Sequence, residues 1–120
     1  MIIFPFGFYI LDGKTPAYVG NDLEAQNTVR AWKEANPEQV RLGLDVVGPL
    51  QIRTTFMGCD HGASRNSMDQ SPLLFETVVR RQEETVRERR YGSYDAALAG
   101  HAKILDALVS GGGCQILPER

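Results

Sequence analysis

The chain has 120 residues and a formal net charge of −2, a length that suits one compact domain with a single core. Hydrophobic residues at 42% and charged residues at 23% match an ordinary globular protein and exclude disorder as the main state. The small net charge leaves no global electrostatic pull toward nucleic acid or an anionic membrane.

The opening MIIFPFGFYIL is apolar, but no basic residue precedes it and no small-residue cleavage pattern follows. It stops at Asp12, short of the roughly 20 residues a membrane-spanning helix needs. Phe4 to Leu11 therefore reads as a strand buried deep in a sheet, in a cytosolic protein with no export signal and no membrane partner. Cys59 and Cys114 stand far apart and outside any CxxC spacing, which fits reduced thiols. Asp12-Gly13-Lys14 signals a turn, and Pro16 is expected to end regular pairing. Asn21 then reads as a helix N-cap, with Glu24 completing a capping box. Ala25, Val29 and Trp32 follow at helical spacing, with Arg30, Lys33 and Glu34 turned outward. Asn36-Pro37 stops that helix.

The clearest periodicity comes next. Val40, Leu42, Leu44 and Val46 alternate with Arg41, Gly43, Asp45 and Val47; after Gly48-Pro49, Leu50, Ile52, Thr54 and Phe56 alternate with Gln51, Arg53, Thr55 and Met57. Period two on both sides of a Gly-Pro break predicts an antiparallel hairpin with the aliphatic row buried. Gly58 to Ser71 reads as a loop and Leu73 to Val79 as a strand. RRQEETVRERR lacks an apolar stripe despite its helix-forming residues, so a hairpin with its turn near Gln82 to Glu84 is expected. Ser93 caps a last helix whose stripe is Tyr94, Ala97, Leu98, His101, Leu105 and Leu108, ended by the glycines at 111–113. The expected architecture is α+β: an antiparallel sheet of four or five strands with two helices packed on one face, one domain over 1–110 and a flexible tail over 111–120.

FYILDGKTP, TTFMGCDH, PLLFETVV and RRYGSYDAALAGHAKIL, in that order, resemble a family of small phage and prophage proteins of unassigned function. That family's pattern is a strand ending in LDGK-P, a tryptophan-bearing helix, a strand running into LDH, an LFET strand and a final helix with AGH. The resemblance covers Phe8 to Leu108 and implies a virus-encoded, cytoplasmic accessory protein; it supplies no activity and hence no catalytic residues. Cys59 stands where the family commonly has leucine, and Gly62 to Arg65 replaces a more aromatic loop.

Asp60, His61 and Glu76, with His101, are acceptable ligand types for zinc, iron or manganese. No HxH or HxxxH pair occurs among them, however, and His101 falls in an inward stripe, where its nitrogens are expected to find backbone or Tyr91 or Tyr94. Cys59 beside His61 would need a base that reaches the sulfur, which a sequence neighbour on a strand rarely does. Glu76 is expected to pair across strands with Arg53 or Arg90. The arginines from Arg80 to Arg90 are interleaved with glutamates, which disfavours a nucleic-acid surface.

With both helices on one face, the other face would show Arg41, Asp45, Gln51, Arg53, Thr55 and Glu76, with Asp60 and His61 at its rim. Arg41, Arg53, Thr55, Asp60, His61 and Glu76 are therefore the expected partner-binding residues. The reading is a non-enzymatic, phage-encoded cytoplasmic protein that binds and modulates a host macromolecule, expected to be a host protein such as a defence component, with no cofactor. Two alternatives stay open. One is an oligomer, such as a homodimer, that sequesters a nucleotide through Arg53, Arg90 and Tyr91; the other is a small metal-dependent enzyme using Asp60, His61 and Glu76.

Overall fold

The computed structural model describes residues 2–59 and 72–110. Nine elements follow in chain order: β1 (Ile3–Asp12), β2 (Thr15–Asp22), α1 (Leu23–Ala35), α2 (Pro37–Val40), β3 (Arg41–Val47), β4 (Leu50–Phe56), β5 (Phe75–Arg81), β6 (Glu84–Tyr91) and α3 (Tyr94–Ser110). The class is α+β, as expected, with helices packed against an antiparallel sheet. Strands β3-β4-β5-β6 form that four-stranded sheet in sequence order, and β1 and β2 form a separate two-stranded one. Among the described residues no helix is long and apolar enough to cross a membrane.

The N-terminal strand is thus not buried deep in the main sheet. Its partner is β2, with Leu11 opposite Pro16 and Asp12 opposite Thr15. Pro16 does not end the pairing, because it is the second residue of an outer strand, where a missing amide hydrogen can face away from the ladder. The hairpin meets the end of β4 where Tyr9 N donates to Gly58 O at 2.7 Å and Phe8 bridges to Cys59, and its Leu11 packs with Phe56 and Phe75 of the main sheet.

Helix α1 starts one residue later than the capping-box reading places it. Asp22, not Asn21, is the N-cap, and its Oδ1 accepts from Ala25 N at 2.9 Å, a contact worth about 1 kcal/mol. Ala25 and Val29 turn onto Phe8 of the hairpin. Proline stops α1 but also opens the short α2, since its fixed φ suits a first helical position.

Strands β4 and β5 place Leu50, Ile52, Thr54, Phe56, Phe75, Thr77 and Val79 on one buried face. Each large apolar side chain buried there contributes about 1.5–3 kcal/mol. Helix α3 covers this face with Ala97, His101, Ile104 and Leu108, capped as expected by Ser93, whose Oγ accepts from Ala96 N. An aromatic run, Trp32 to Phe56 to Phe75 to Tyr94, with centroids 5.9, 5.3 and 6.2 Å apart, brings α1 and α3 onto one cluster. The expected hairpin after Val79 forms as β5–β6, turning at Gln82, whose φ is +58°.

Strand β3 departs from the period-two reading. Leu44 and Val46, expected in the buried row, are 41% and 68% exposed. The register slips between Arg41 and Gly43, and such a bulge sends every later side chain to the opposite face. Gly43, Asp45 and Val47 therefore lie over Thr54, Ile52 and Leu50, on the α3 side. Asp45 is not part of the outer face.

Candidate functional site

On the face away from α3, the register brings most of the expected binding residues together. Arg41 pairs with Thr55, Thr55 with Glu76, and Glu76 with Arg90, one row across all four strands. Arg53 lies on the adjoining row, between Leu44 and Val78. Glu76 accepts a hydrogen bond from Arg90 Nε at 3.2 Å, one of the two pairings expected for it.

The Arg41 end of this face is walled by α1. The result is a groove of about 700 Å³ between the helix and strands β3 and β4. Arg30 and Lys33 line it from α1, Arg41 from β3, and Arg53 and Thr55 from β4. Glu34 is the one carboxylate on its wall among the described residues, while Phe8, Val29, Val40 and Met57 supply apolar surface. Lys33 Nζ donates to Met57 O at 2.9 Å. Arg53 donates to Gln51 at 3.3 Å, and none of Arg30, Arg41 and Arg53 has a carboxylate partner among the described residues.

Gly58 sets the groove's depth. Its φ of +83° is left-handed, and a Cβ there would meet Val29 Cγ1 at 3.0 Å and Lys33 Cδ at 3.4 Å. Only glycine takes that conformation readily while letting the helix come this close. The chain turns at the end of β4, hands Gly58 O to β1, and leaves Cys59 in the groove wall. Much of TTFMGCDHG is thus a strand end that docks two sheets together. Asp60 and His61, with the rest of the loop and the tail over 111–120, lie outside the described residues.

A second polar constellation lies on the opposite face. His101 Nε2 is 2.7 Å from Asp45 Oδ2, His101 Nδ1 is 2.7 Å from Thr54 Oγ1, and Thr54 Oγ1 hydrogen-bonds Thr77 Oγ1. The expectation that backbone, Tyr91 or Tyr94 satisfies this histidine is therefore corrected: its partners are 56 and 47 residues away in sequence. An ionised Asp45 only accepts, so Nε2 carries a hydrogen. In the neutral ring Nδ1 then accepts from Thr54, whose oxygen accepts from Thr77. Protonating the ring reverses the direction of the threonine chain without breaking it.

Asp-His-Thr in this order has the connectivity of a nucleophilic triad. The hydroxyl that would attack belongs to Thr54, which is 0% exposed and already bonded to Thr77. The groove reaches Thr55, its neighbour on the other face. The chain accordingly acts as a polar layer between two apolar clusters, Phe56 and Phe75 on one side and Ile52 and Val79 on the other, and it fixes how α3 seats on the sheet.

This geometry separates the other sets of residues considered. Glu76 lies on the sheet face away from α3, while His101 projects from α3 onto the opposite face toward Thr54 and Asp45, so the two do not converge on one ion, and no group of three ligand-type residues occurs among the described residues. Arg53, Arg90 and Tyr91 do not share a site either: Arg90 is bonded to Glu76, and Tyr91 is buried against Ala97. What residue order alone misses is the contribution of α1. Gln26, Arg30 and Lys33 fall at i, i+4 and i+7, one stripe of a helix, and all three line the groove. Comparison with family models, curated proteins and solved structures returned no match.

Proposed function

We propose that this chain is a non-enzymatic binding protein that seats an anionic surface segment of a partner macromolecule in the groove between α1 and strands β3 and β4. The observation that carries this reading is the convergence of Arg30, Arg41 and Arg53 from three elements, none with a carboxylate partner among the described residues. Folded chains seldom gather like charges without a use, because each arginine raises the cost of the next. The resemblance to phage and prophage proteins supports a host component as the partner, a defence protein among the candidates. Burial of Thr54 supports binding over catalysis by the Asp45–His101–Thr54 chain. The groove's volume also suits a small nucleotide, the second reading.

The test is an affinity pull-down from a bacterial host lysate with tagged wild type and an Arg41→Glu/Arg53→Glu variant, read by mass spectrometry. The expected result is a host protein that wild type retains, that the variant loses, and that elutes when salt is raised. Equal retention by both proteins, or no salt-sensitive partner, overturns the reading.

A further inference from the structure

The groove's own composition narrows what it takes. This inference rests on the binding role proposed above. We infer that the ligand is a peptide segment combining carboxylate side chains with an apolar residue, rather than a nucleotide or a nucleic acid.

The cations favour carboxylate or phosphate equally, since an arginine fork matches either group bidentately. The apolar part of the wall distinguishes them. Nucleobases are held mainly by stacking on exposed aromatic faces. Among the described residues the one aromatic side chain lining this groove is Phe8, which is 4% exposed and already has edge contacts with Phe4 and Phe6. Among the described residues a base would therefore find no exposed ring to stack on. Val40 and Met57, both half-buried, instead offer apolar surface beside the arginines, which suits a leucine- or isoleucine-sized side chain flanked by acids. The chain's net charge of −2 also gives a long polyanion little beyond the local patch, whereas a short acidic segment needs only that patch.

Fluorescence anisotropy tests this with a short labelled peptide mixing glutamate and leucine, the same peptide with glutamine for glutamate, a labelled nucleoside triphosphate and a single-stranded RNA. The glutamate peptide is expected to bind wild type, to weaken as salt rises, and to lose about tenfold in affinity with Arg41→Glu/Arg53→Glu, the size of two exposed ion pairs together. The glutamine peptide is expected to bind no better than that variant binds the glutamate peptide. Arg41→Lys/Arg53→Lys, which keeps the charge and removes the forks, should fall between. All these positions are exposed, so unchanged circular dichroism confirms that the variants are folded. Nucleotide or RNA binding without peptide binding overturns the ligand class, as does peptide binding indifferent to the arginines. A host partner lost by the variant in the pull-down, but not displaced by the glutamate peptide, overturns the ligand class while leaving the groove's binding role standing.

Discussion

The imidazole of His101 lies face-on against the backbone of Gly43. A Cβ on residue 43 would come within 3.0, 3.1 and 3.2 Å of ring atoms Cε1, Nε2 and Nδ1. The same ring is fixed by Thr54 on one nitrogen and Asp45 on the other, so it cannot swing aside without breaking a hydrogen bond. Gly43→Ala is therefore expected to destabilise the protein by about 1–3 kcal/mol, the usual cost of overpacking a well-fitted site. Urea unfolding measures it, and an unchanged midpoint with an unchanged slope would show that the ring is loosely held.

The polar layer beneath that ring should behave as a unit. Thr54→Val keeps the shape but removes the hydroxyl shared by His101 and Thr77, leaving Nδ1 without its partner in a buried site. A loss of about 1–3 kcal/mol is expected. His101→Leu alone should cost a similar amount, and the double variant less than the sum, with a coupling of roughly 0.5–3 kcal/mol. Strict additivity in a double-mutant cycle would contradict a connected chain.

Much of the main sheet was legible because its residues obey one period and one break. Leu50 to Phe56 alternates without interruption, and the structure buries that row as read. Ser93 and the turn at Gln82 were legible for the same local reason. Strand β3 was not, because a single bulge residue inverts the phase, and nothing in RLGLDVV marks Leu42 as the extra one. Residue type likewise suggested that Pro16 breaks pairing, while its tolerance depends on lying in an outer strand, which only the topology reveals. The groove was half legible. Arg41, Arg53 and Thr55 could be assigned to one face from alternation, but the approach of Arg30 and Lys33 depends on a helix crossing the end of β4. Such packing over distant segments leaves no local trace beyond the stripe at positions 26, 30 and 33.

Gly58 ties the fold to the groove, so its substitution should be felt in both. Alanine there must adopt the left-handed region, costing roughly 1–2 kcal/mol, and its methyl would press on Val29 and Lys33. Gly58→Ala is expected to lower the unfolding midpoint and also to weaken partner retention, because α1 would be pushed from the strands that complete the groove. Loss of stability with undiminished retention would mean that helix position does not matter to binding.

Glu76 offers a finer test, because its contribution to the groove is opposite in sign to that of the arginines. It sits opposite Thr55 in the row that ends at Arg41, and its carboxylate is partly spent on Arg90 at 3.2 Å. The remaining negative potential opposes an acidic ligand nearby. Glu76→Gln removes that charge, so the affinity for a glutamate-rich peptide should rise, by roughly twofold to fivefold at low salt, and the gain should vanish as salt screens it. The cost in stability should stay within about 1 kcal/mol, since the ion pair is partly exposed. If binding falls instead, Glu76 touches the partner directly as a hydrogen-bond acceptor, and the ligand must carry a donor or a cation beside its acids. Anisotropy titrations of wild type and Glu76→Gln at two salt concentrations separate these outcomes, because screening weakens a through-space repulsion far more than a direct hydrogen bond.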